Sequence, residues 1–495
     1  MRRWPNRWIW AVPLMLCAAI VAATPADFRL VAFAGLEAPG GGATFANSLT
    51  LETDTREIDA RGRVAFGAFL ELTGGGGASG LFTWEDGSLA ELLRSGEPAP
   101  GGGVFDVVAL DGIVQNDAGG VFFEATLAAT PAARGLFFHD GIGTVAIIRD
   151  GDALPGTGAV WTGGGRGAVP NAAGAILVGL TFDDTSAADA GLFLWDGSGL
   201  TKVARTGDPV PDNSTIGNPT YGELGFAARF DFNDSGEVAF VANRTVYRGL
   251  PGAIAQVLPL FSDPRGLTLL DDGTLIFAKS TAIYRQLAPG AAVEVLVDNT
   301  TPTPRPGETF LGVARVTAIE GNAVAFQGTV FGDDGLRPGI YLWKDGTVTE
   351  VFAPTEAEND AAPPGGPIGF DDFAAGPSGT VIFEANLKLS PAAGLFVSDG
   401  VTRTQIAAGA PGTTFGRPGL VVGRSVGAEG GILLDADGHP VPKGGNANAL
   451  LVYRPGPALV REAVPLPPWS LAAGLTSIAA AAVRVGHQRR LVGRR

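Results

Sequence analysis

"GLFLWDGSGLTKVARTGDPVP", residues 191–211, decides the fold, because the chain writes it more than once. "GLFTWEDGSLAELLRSGEPAP" stands at 80–100 and "GLFFHDGIGTVAIIRDGDALP" at 135–155. Shorter relatives are "GIYLWKDG" (339) and "GLFVSDG" (394), and degenerate ones "TVYRGLPG" (245), "TAIYRQLAPG" (281) and "ALLVYRPG" (449). Side chains alternate along a strand, so Phe193 and Trp195 share one face. Asp-Gly after them is a strong hairpin signal. A third strand returns as "LTKVAR" (200–205), and the loop "TGDPVP" leads onward.

An upstream element recurs in step with the first. "NAAGAILVGLTF" (171–182) has relatives "DARGRVAFGAFL" (59–70), "NDAGGVFFEATL" (116–127), "NDSGEVAFVANR" (233–244) and "GPSGTVIFEANL" (376–387). Weaker copies are "LDDGTLIFAKST" (270–281), "IEGNAVAFQGTV" (319–330) and "GAEGGILLDADG" (427–438). Asx-x-x-Gly is a turn: Asn or Asp caps its own backbone and Gly supplies positive φ. Val64, Phe66, Ala68 and Leu70 then share a face, the period-two pattern of a half-buried strand. A further strand is clearest in "GFAARFDF" (225–232), where Phe226, Phe230 and Phe232 alternate.

The unit is therefore four antiparallel strands, and its glycines stand at 62, 119, 174, 236, 273, 321, 379 and 430. Four strands per 40 to 50 or more residues describe the blade of a β-propeller. The expected fold is all-β with eight blades. Seven is the alternative, because the fifth unit is short and the last degenerate; a stacked β-solenoid is the rival. No window outside the termini shows sustained helical periodicity. The array starts in mid-unit, since "FRLVAFAGLEAPGGG" (28–42) matches "LAELLRSGEPAPGGG" (89–103), and it stops in mid-unit at "PALVRE" (457–462). Strands from the two ends can then share a blade, leaving no exposed edge.

The expected organisation is a signal peptide (1–26), a repeat domain (27–462) and a tail (463–495). Arg2, Arg3 and Arg7 precede the apolar "IWAVPLMLCAAIVAA" (9–23) and the small residues of "ATPA" (23–26), the order of a secretory signal. That apolar run is shorter than the roughly 20 residues that span a bilayer. Cys17, the single cysteine, lies within it, so disulfides and thiolate metal sites are not expected in the mature chain. Outside the two ends, 27 Lys and Arg face 50 Asp and Glu. A surface that acidic repels phosphate backbones and excludes nucleic acid as a partner.

Near the C-terminus, "VPLPPW" (464–469) precedes the apolar "SLAAGLTSIAAAAV" (470–483) and the basic "RVGHQRRLVGRR" (484–495). This tail resembles the PEP-CTERM class of bacterial sorting signals, with Val464, Pro465, Leu466, Pro467 and Trp469 as its motif and Arg489 and Arg490 in its basic cluster. It departs from the class in lacking the Glu of Pro-Glu-Pro, and Arg484 shortens its span. The resemblance implies an exosortase-type processing enzyme as partner, with contact to the membrane only through terminal segments. The array likewise resembles bacterial exported proteins with tandem NxxGxxAF-type repeats, over roughly residues 28 to 462. That resemblance implies a cell-surface or extracellular protein and supplies no catalytic residues.

No motif carries chemistry. Among the histidines, His139 occupies the Trp position of a repeat, His439 a Gly/Pro loop and His487 the tail, so no histidine metal site can be built. The pairs Asp183–Asp184, Asp271–Asp272, Asp333–Asp334 and Asp371–Asp372 read as turn formers; calcium is the one cofactor they could serve. The glycine runs at 74–77, 101–103 and 163–165 read as turns, since no Gly-Lys-Ser/Thr follows them. Trp84, Trp195 and Trp343 could stack on sugars if exposed, but equivalent strand positions point to core. These readings assign no catalytic, cofactor-binding or metal residue. They favour an exported, non-enzymatic scaffold or binding module for a glycan, protein or cation. The alternative is a secreted propeller hydrolase or lyase acting on polysaccharide. Its site would break the repeat symmetry, at 243–310 or 353–372, with three or more converging carboxylates or arginines.

Overall fold

A computed structural model describes residues 28–33, 35–46, 56–59, 61–128, 133–182, 190–210, 230–259, 266–319, 323–333, 335–362, 367–375, 380–387, 393–398, 400–408, 418–420, 432–440 and 446–453. The turns form as their residue types require. In the second repeat the Gly119 N–H donates to the Asn116 carbonyl (2.9 Å) and the Gly120 N–H to Asn116 Oδ1 (2.8 Å), with Gly119 at φ +94°. Asn171 and Asn233 repeat the bond from the N–H four residues on, at 2.9 Å each. Asp86-Gly87 and Asp345-Gly346 both take positive φ, the paired conformation that a two-residue hairpin turn needs.

The motif's first glycine has a packing cause. A Cβ at Gly80, Gly135 or Gly191 would stand 2.8, 2.6 or 2.8 Å from the ring of Phe82, Phe137 or Phe193, two residues on. The aromatic ring folds back over the glycine, so Gly-Leu-Phe is one packing unit.

Among the described residues the strands form eight antiparallel sheets. The first is Ala43–Phe45, Val64–Leu72, Gly77–Glu85 and Ser88–Arg94, with Arg56–Ile58 also on Val64–Leu72. The second is Val104–Gln115, Val121–Ala128, Ala133–His139 and Thr144–Arg149; the third is Trp161–Pro170, Ile176–Phe182, Ala190–Trp195 and Leu200–Arg205. The fourth runs Phe230–Phe232, Val238–Ala242, Thr245–Leu250 and Ala253–Pro259, and the fifth Gly266–Leu269, Leu275–Lys279, Ala282–Gln286 and Val293–Val297. The sixth comprises Thr309–Ile319, Ala323–Gly332, Gly335–Lys344 and Thr347–Phe352, and the seventh Pro367–Ala375, Val381–Leu387, Ala393–Ser398 and Arg403–Ala408. The eighth joins the two ends of the array. Pro418–Leu420, Ile432–Pro440 and Asn446–Tyr453 take Phe28–Phe33 as their fourth strand, with Leu30 opposite Leu451.

Half-burial of the second strand is corrected. Val64 to Ala68 are all buried, as are the five residues of Val238–Ala242. The cause is that neighbouring sheets pack face to face. Val64, Phe66 and Ala68 join a cluster with Val31 and Ala32 of the N-terminal strand, whereas Ala65 and Leu81 join Phe105, Val108 and Phe123 of the second sheet. Similar clusters join each sheet to the next through to the seventh. Seventh-sheet strands touch Pro418–Leu420, and Ile432–Pro440 of the eighth sheet touches Arg56–Ile58 of the first. Burying each large apolar side chain contributes about 1.5–3 kcal/mol.

Two sets of hydrogen bonds also tie sheet to sheet. At the Asx turns, Asn233 Nδ2 donates to the Leu270 carbonyl (3.2 Å), Asn171 Nδ2 to the Asn233 carbonyl (3.5 Å), and Arg63 Nη2 to the Asp117 carbonyl (2.6 Å). At the ends of fourth strands, Arg94 Nη2 donates to the Pro39 carbonyl (2.9 Å), Arg149 Nη1 to Pro100 (3.1 Å) and Arg205 Nη1 to Thr157 (2.7 Å). Each arginine thereby holds the Gly/Pro loop of the preceding unit.

Candidate functional site

Trp84, Trp195 and Trp343 are 1%, 5% and 5% exposed, which places them in the core rather than on a sugar-binding face. Each stands opposite a second-strand aliphatic residue, as Trp84 does Val64, and His139 stands opposite Val121 in the same register. His139 is buried, its Nδ1 accepts from the Gly141 N–H (2.9 Å), and burial pushes its pKa below the ordinary imidazole value. His439 belongs to the strand Ile432–Pro440, not to a loop. Asp271 and Asp272 form a turn as expected, whereas Asp371 and Asp372 lie in a strand at a register shift. The glycines at 163–165 also lie inside a strand, where irregular pairing and positive φ at Gly163 and Gly164 mark a bulge. Asp183, Asp184, His487 and Cys17, with Val464, Pro465, Leu466, Pro467, Trp469, Arg489 and Arg490, lie outside the described residues. Among the described residues no three His, Cys, Asp or Glu are grouped to hold a metal, and no helix is long and apolar enough to cross a membrane.

The latching arginine of the first three sheets does not recur: its position holds Pro259, Asp298, Ala353 and Ala408 in the fourth to seventh sheets. In the sixth sheet, register aligns Thr347–Phe352 with Ser88–Arg94 so that Glu350 matches Glu91 and Ala353 matches Arg94. The latching arginine is therefore missing, and two other arginines occupy its surroundings. Arg305 Nε and Nη2 donate to Glu350 at 3.0 and 2.7 Å, and Nη2 also reaches Glu358 at 3.1 Å. Arg337 Nε and Nη2 donate to Glu308 at 3.2 and 2.5 Å, and Nη1 donates to Glu350 (3.0 Å) and to the Ala353 carbonyl. Burial opposes the Arg337 charge, but these carboxylates hold its pKa above the ordinary value; Glu350 raises that of Arg305. Burial works to raise the Glu358 carboxyl, but the Thr355 N–H and Arg305 prevail and lower it.

The chain after Ala353 makes a short helix, Glu356–Ala361, closed at its start by a reciprocal pair: Thr355 Oγ1 accepts from the Glu358 N–H, and Glu358 accepts from the Thr355 N–H. That helix was not expected, although Thr355-x-x-Glu358 is a capping-box signature. Between it and the seventh sheet lies a cleft of about 400 Å³. Its walls include Gln327, Arg337, Asn359 and Asn386 as polar groups and Leu336 and Phe370 as apolar ones. Asn359 Oδ1 is buried with no hydrogen-bond partner.

Three carboxylates and two arginines thus converge next to 353–372. Sequence reasoning missed them because Arg305, Arg337 and Glu350 meet only through pairing across strands. Chemically the set is a brace: each arginine is shared between two glutamates, so no carboxylate is placed as a free acid or base. The cleft beside it offers amides, a hydroxyl and an aromatic ring.

Residues 12–250, just under half of the chain, match the model of a family of unknown function (DUF7453). No curated protein matches the sequence. The chain is similar to a solved prolyl endopeptidase (TM-score 0.42, 12% identity, 82% of this chain and 55% of that one). It is also similar to dipeptidyl peptidase 4 of Porphyromonas gingivalis (TM-score 0.42, 11% identity, 77% and 60%). A post-proline cleaving enzyme from Rickettsia typhi gives a TM-score of 0.39 at 10% identity, over 83% and 59%. The chain spans little more than half the length of each of these.

Proposed function

We propose that the eight sheets are the blades of one closed β-propeller, and that the protein is an exported, non-enzymatic scaffold that binds a ligand at the cell surface or in the extracellular matrix. The observation that carries the architecture is the pairing of Phe28–Phe33 with Asn446–Tyr453, supported by packing of each sheet on the next and of the eighth on the first. A closed sheet array has no free edge to recruit other strands, which suits a protein that works outside the cell. The binding site in this reading is the cleft between the sixth and seventh sheets. Export rests on the terminal segments, the body's excess of acidic groups and the tail's likeness to exosortase substrates.

The convergence of Glu308, Glu350 and Glu358 with Arg305 and Arg337 favours a second reading, a polysaccharide hydrolase or lyase. The brace argues against it, because acid–base catalysis on a glycosidic bond needs two carboxyl groups in distinct protonation states. Intact mass of the protein exported by its native host tests the address: removal of a front segment ending near residue 26 and of the tail from about residue 464 is expected. A retained tail would refute sorting. Release of reducing ends from extracellular polysaccharide, abolished by Glu350→Gln, would move the assignment to the enzyme.

A further inference from the structure

We infer that the cleft between the sixth and seventh sheets takes a neutral saccharide; this rests on the cleft being the binding site proposed above. The charge balance around it excludes the alternatives first. Among the described residues Arg337 is the one cationic group on its wall, and its Nε, Nη1 and Nη2 all donate to Glu308, Glu350 or the Ala353 carbonyl. Arg305 behind it is committed to Glu350 and Glu358. Three positive groups, Arg305, Arg337 and Arg403, stand against the three carboxylates Glu308, Glu350 and Glu358, so an anionic ligand gains no net attraction.

The remaining groups match a polyol. Gln327, Asn359 and Asn386 present planar amides, which both donate and accept, as sugar hydroxyls do. Asn359 Oδ1 has no hydrogen-bond partner within the protein, so this amide of the cleft wall is not fully spent on internal contacts. Phe370 is half-buried and held edge-on against Phe352, with centroids 6.4 Å apart, so one fixed ring borders the cleft together with Leu336 and Pro338. Fixed aromatic surface beside amides is what the apolar face and hydroxyl rim of a pyranose ring need. A volume of about 400 Å³ lies in the roughly 300–1,000 Å³ range of small-ligand sites.

A peptide fits less well. An extended peptide binds by adding to a strand edge, where main-chain N–H and C=O groups supply the affinity. The strand segments bordering this cleft carry Pro338 and Pro367, and each proline removes one N–H donor.

The test is calorimetric titration of the full chain with cellotetraose, xylotetraose and maltotetraose, with tetragalacturonate as the acidic probe and tetra-alanine amide as the peptide probe. At least one neutral tetrasaccharide is expected to bind, with Gln327→Ala and Phe370→Ala each weakening it tenfold or more. Asn386→Ala, at an exposed position, guards against misfolding of the other two and is expected to weaken binding at an unchanged melting temperature. No binding by any neutral probe, or preferential binding of tetragalacturonate or the peptide, overturns the saccharide assignment. If a probe of another class binds and Gln327→Ala weakens it, the cleft stands and its ligand class falls. If a saccharide binds with unchanged affinity in all three variants, the cleft itself is not the site.

Discussion

Arg248 gives the sharpest test of how these sheets are joined. Its side chain is 1% exposed, and its guanidinium spans the fourth and fifth sheets. Nε and Nη2 donate to Glu237 at 2.8 and 2.6 Å, Nη1 to Gln286 Oε1 at 3.1 Å, and Nη2 to the Gly273 carbonyl at 2.7 Å. Arg248→Ala strands the buried Glu237 carboxylate, and breaking a buried pair from one side costs about 3–5 kcal/mol. With about 2 cal/mol/K of unfolding entropy per residue over roughly 400 residues, that is a fall in melting temperature of ~4–6 °C. Replacing both partners by apolar residues of similar volume is often neutral. The double variant Arg248→Met/Glu237→Leu is therefore expected to melt within about 2 °C of the parent, well above the single variant. Differential scanning calorimetry at pH 7 reads all three. A single variant that melts with the parent, or a double variant no better than the single, would refute the claim that this ion pair is a costly bridge held by mutual satisfaction.

Three further outcomes are expected. Cysteines at Leu30 and Leu451, opposite each other across the joined ends, should cross-link under mild oxidant in a Cys17→Ser background and raise the melting temperature; failure to cross-link, read by peptide mapping, would contradict the pairing. Asn233→Ala removes both the acceptor for the Glu237 N–H and the donor to the Leu270 carbonyl, and should cost about 1–2 kcal/mol in urea unfolding, with Asn233→Asp costing less because the acceptor survives. Burial lowers the His139 pKa, so the unfolded chain binds the proton more readily; stability should fall as pH drops below about 6.5, and His139→Phe should flatten that slope. Parallel slopes for parent and variant would remove His139 from the acid response.

The parts of the fold visible in the sequence are those set by local chemistry. Asp-Gly at 86–87 and 345–346 requires two positive φ values, and the structure has them. The unit count was legible because Asx turns and Gly-Leu-Phe strands recur in register. Burial of both faces of Val64–Ala68 was not legible, since Ala65 is buried by a sheet contributed from elsewhere in the chain. Nor was the second task of Asn233, which shapes its own turn and also bonds to Leu270 of the next. The glycines at 163–165 look the same in sequence whether they make a turn or a bulge; the pairing partner Ile176–Phe182 decides it. Of the candidate site, only the Thr355–Glu358 cap was written locally. Arg305, Arg337 and Glu350 are 32 and 13 residues apart in order, and only the strand pairing of the sixth sheet assembles them.

Repetition explains why a site should sit where it does. In the first sheet Glu91 holds Arg94, and Arg94 holds the Pro39 and Gly41 carbonyls. Such a boundary is closed to ligands because its hydrogen bonds are spent on the neighbouring unit. At the sixth sheet Ala353 stands in place of the arginine that would hold the preceding loop, and at the seventh Ala408 stands in place of the one that would hold the loop after Phe352. Arg337 compensates by donating to the Ala353 carbonyl, and Arg305 takes the position's carboxylate, Glu350. The charges are thereby closed again, but the chain beyond them is no longer held in the common loop form and turns instead into the helix Glu356–Ala361. A cleft lies between that helix and the seventh sheet, with Gln327, Asn359 and Asn386 on its walls. Loss of the arginine latch and the local capping box of Thr355 thus put a polar cleft where the first three units carry a held Gly/Pro loop.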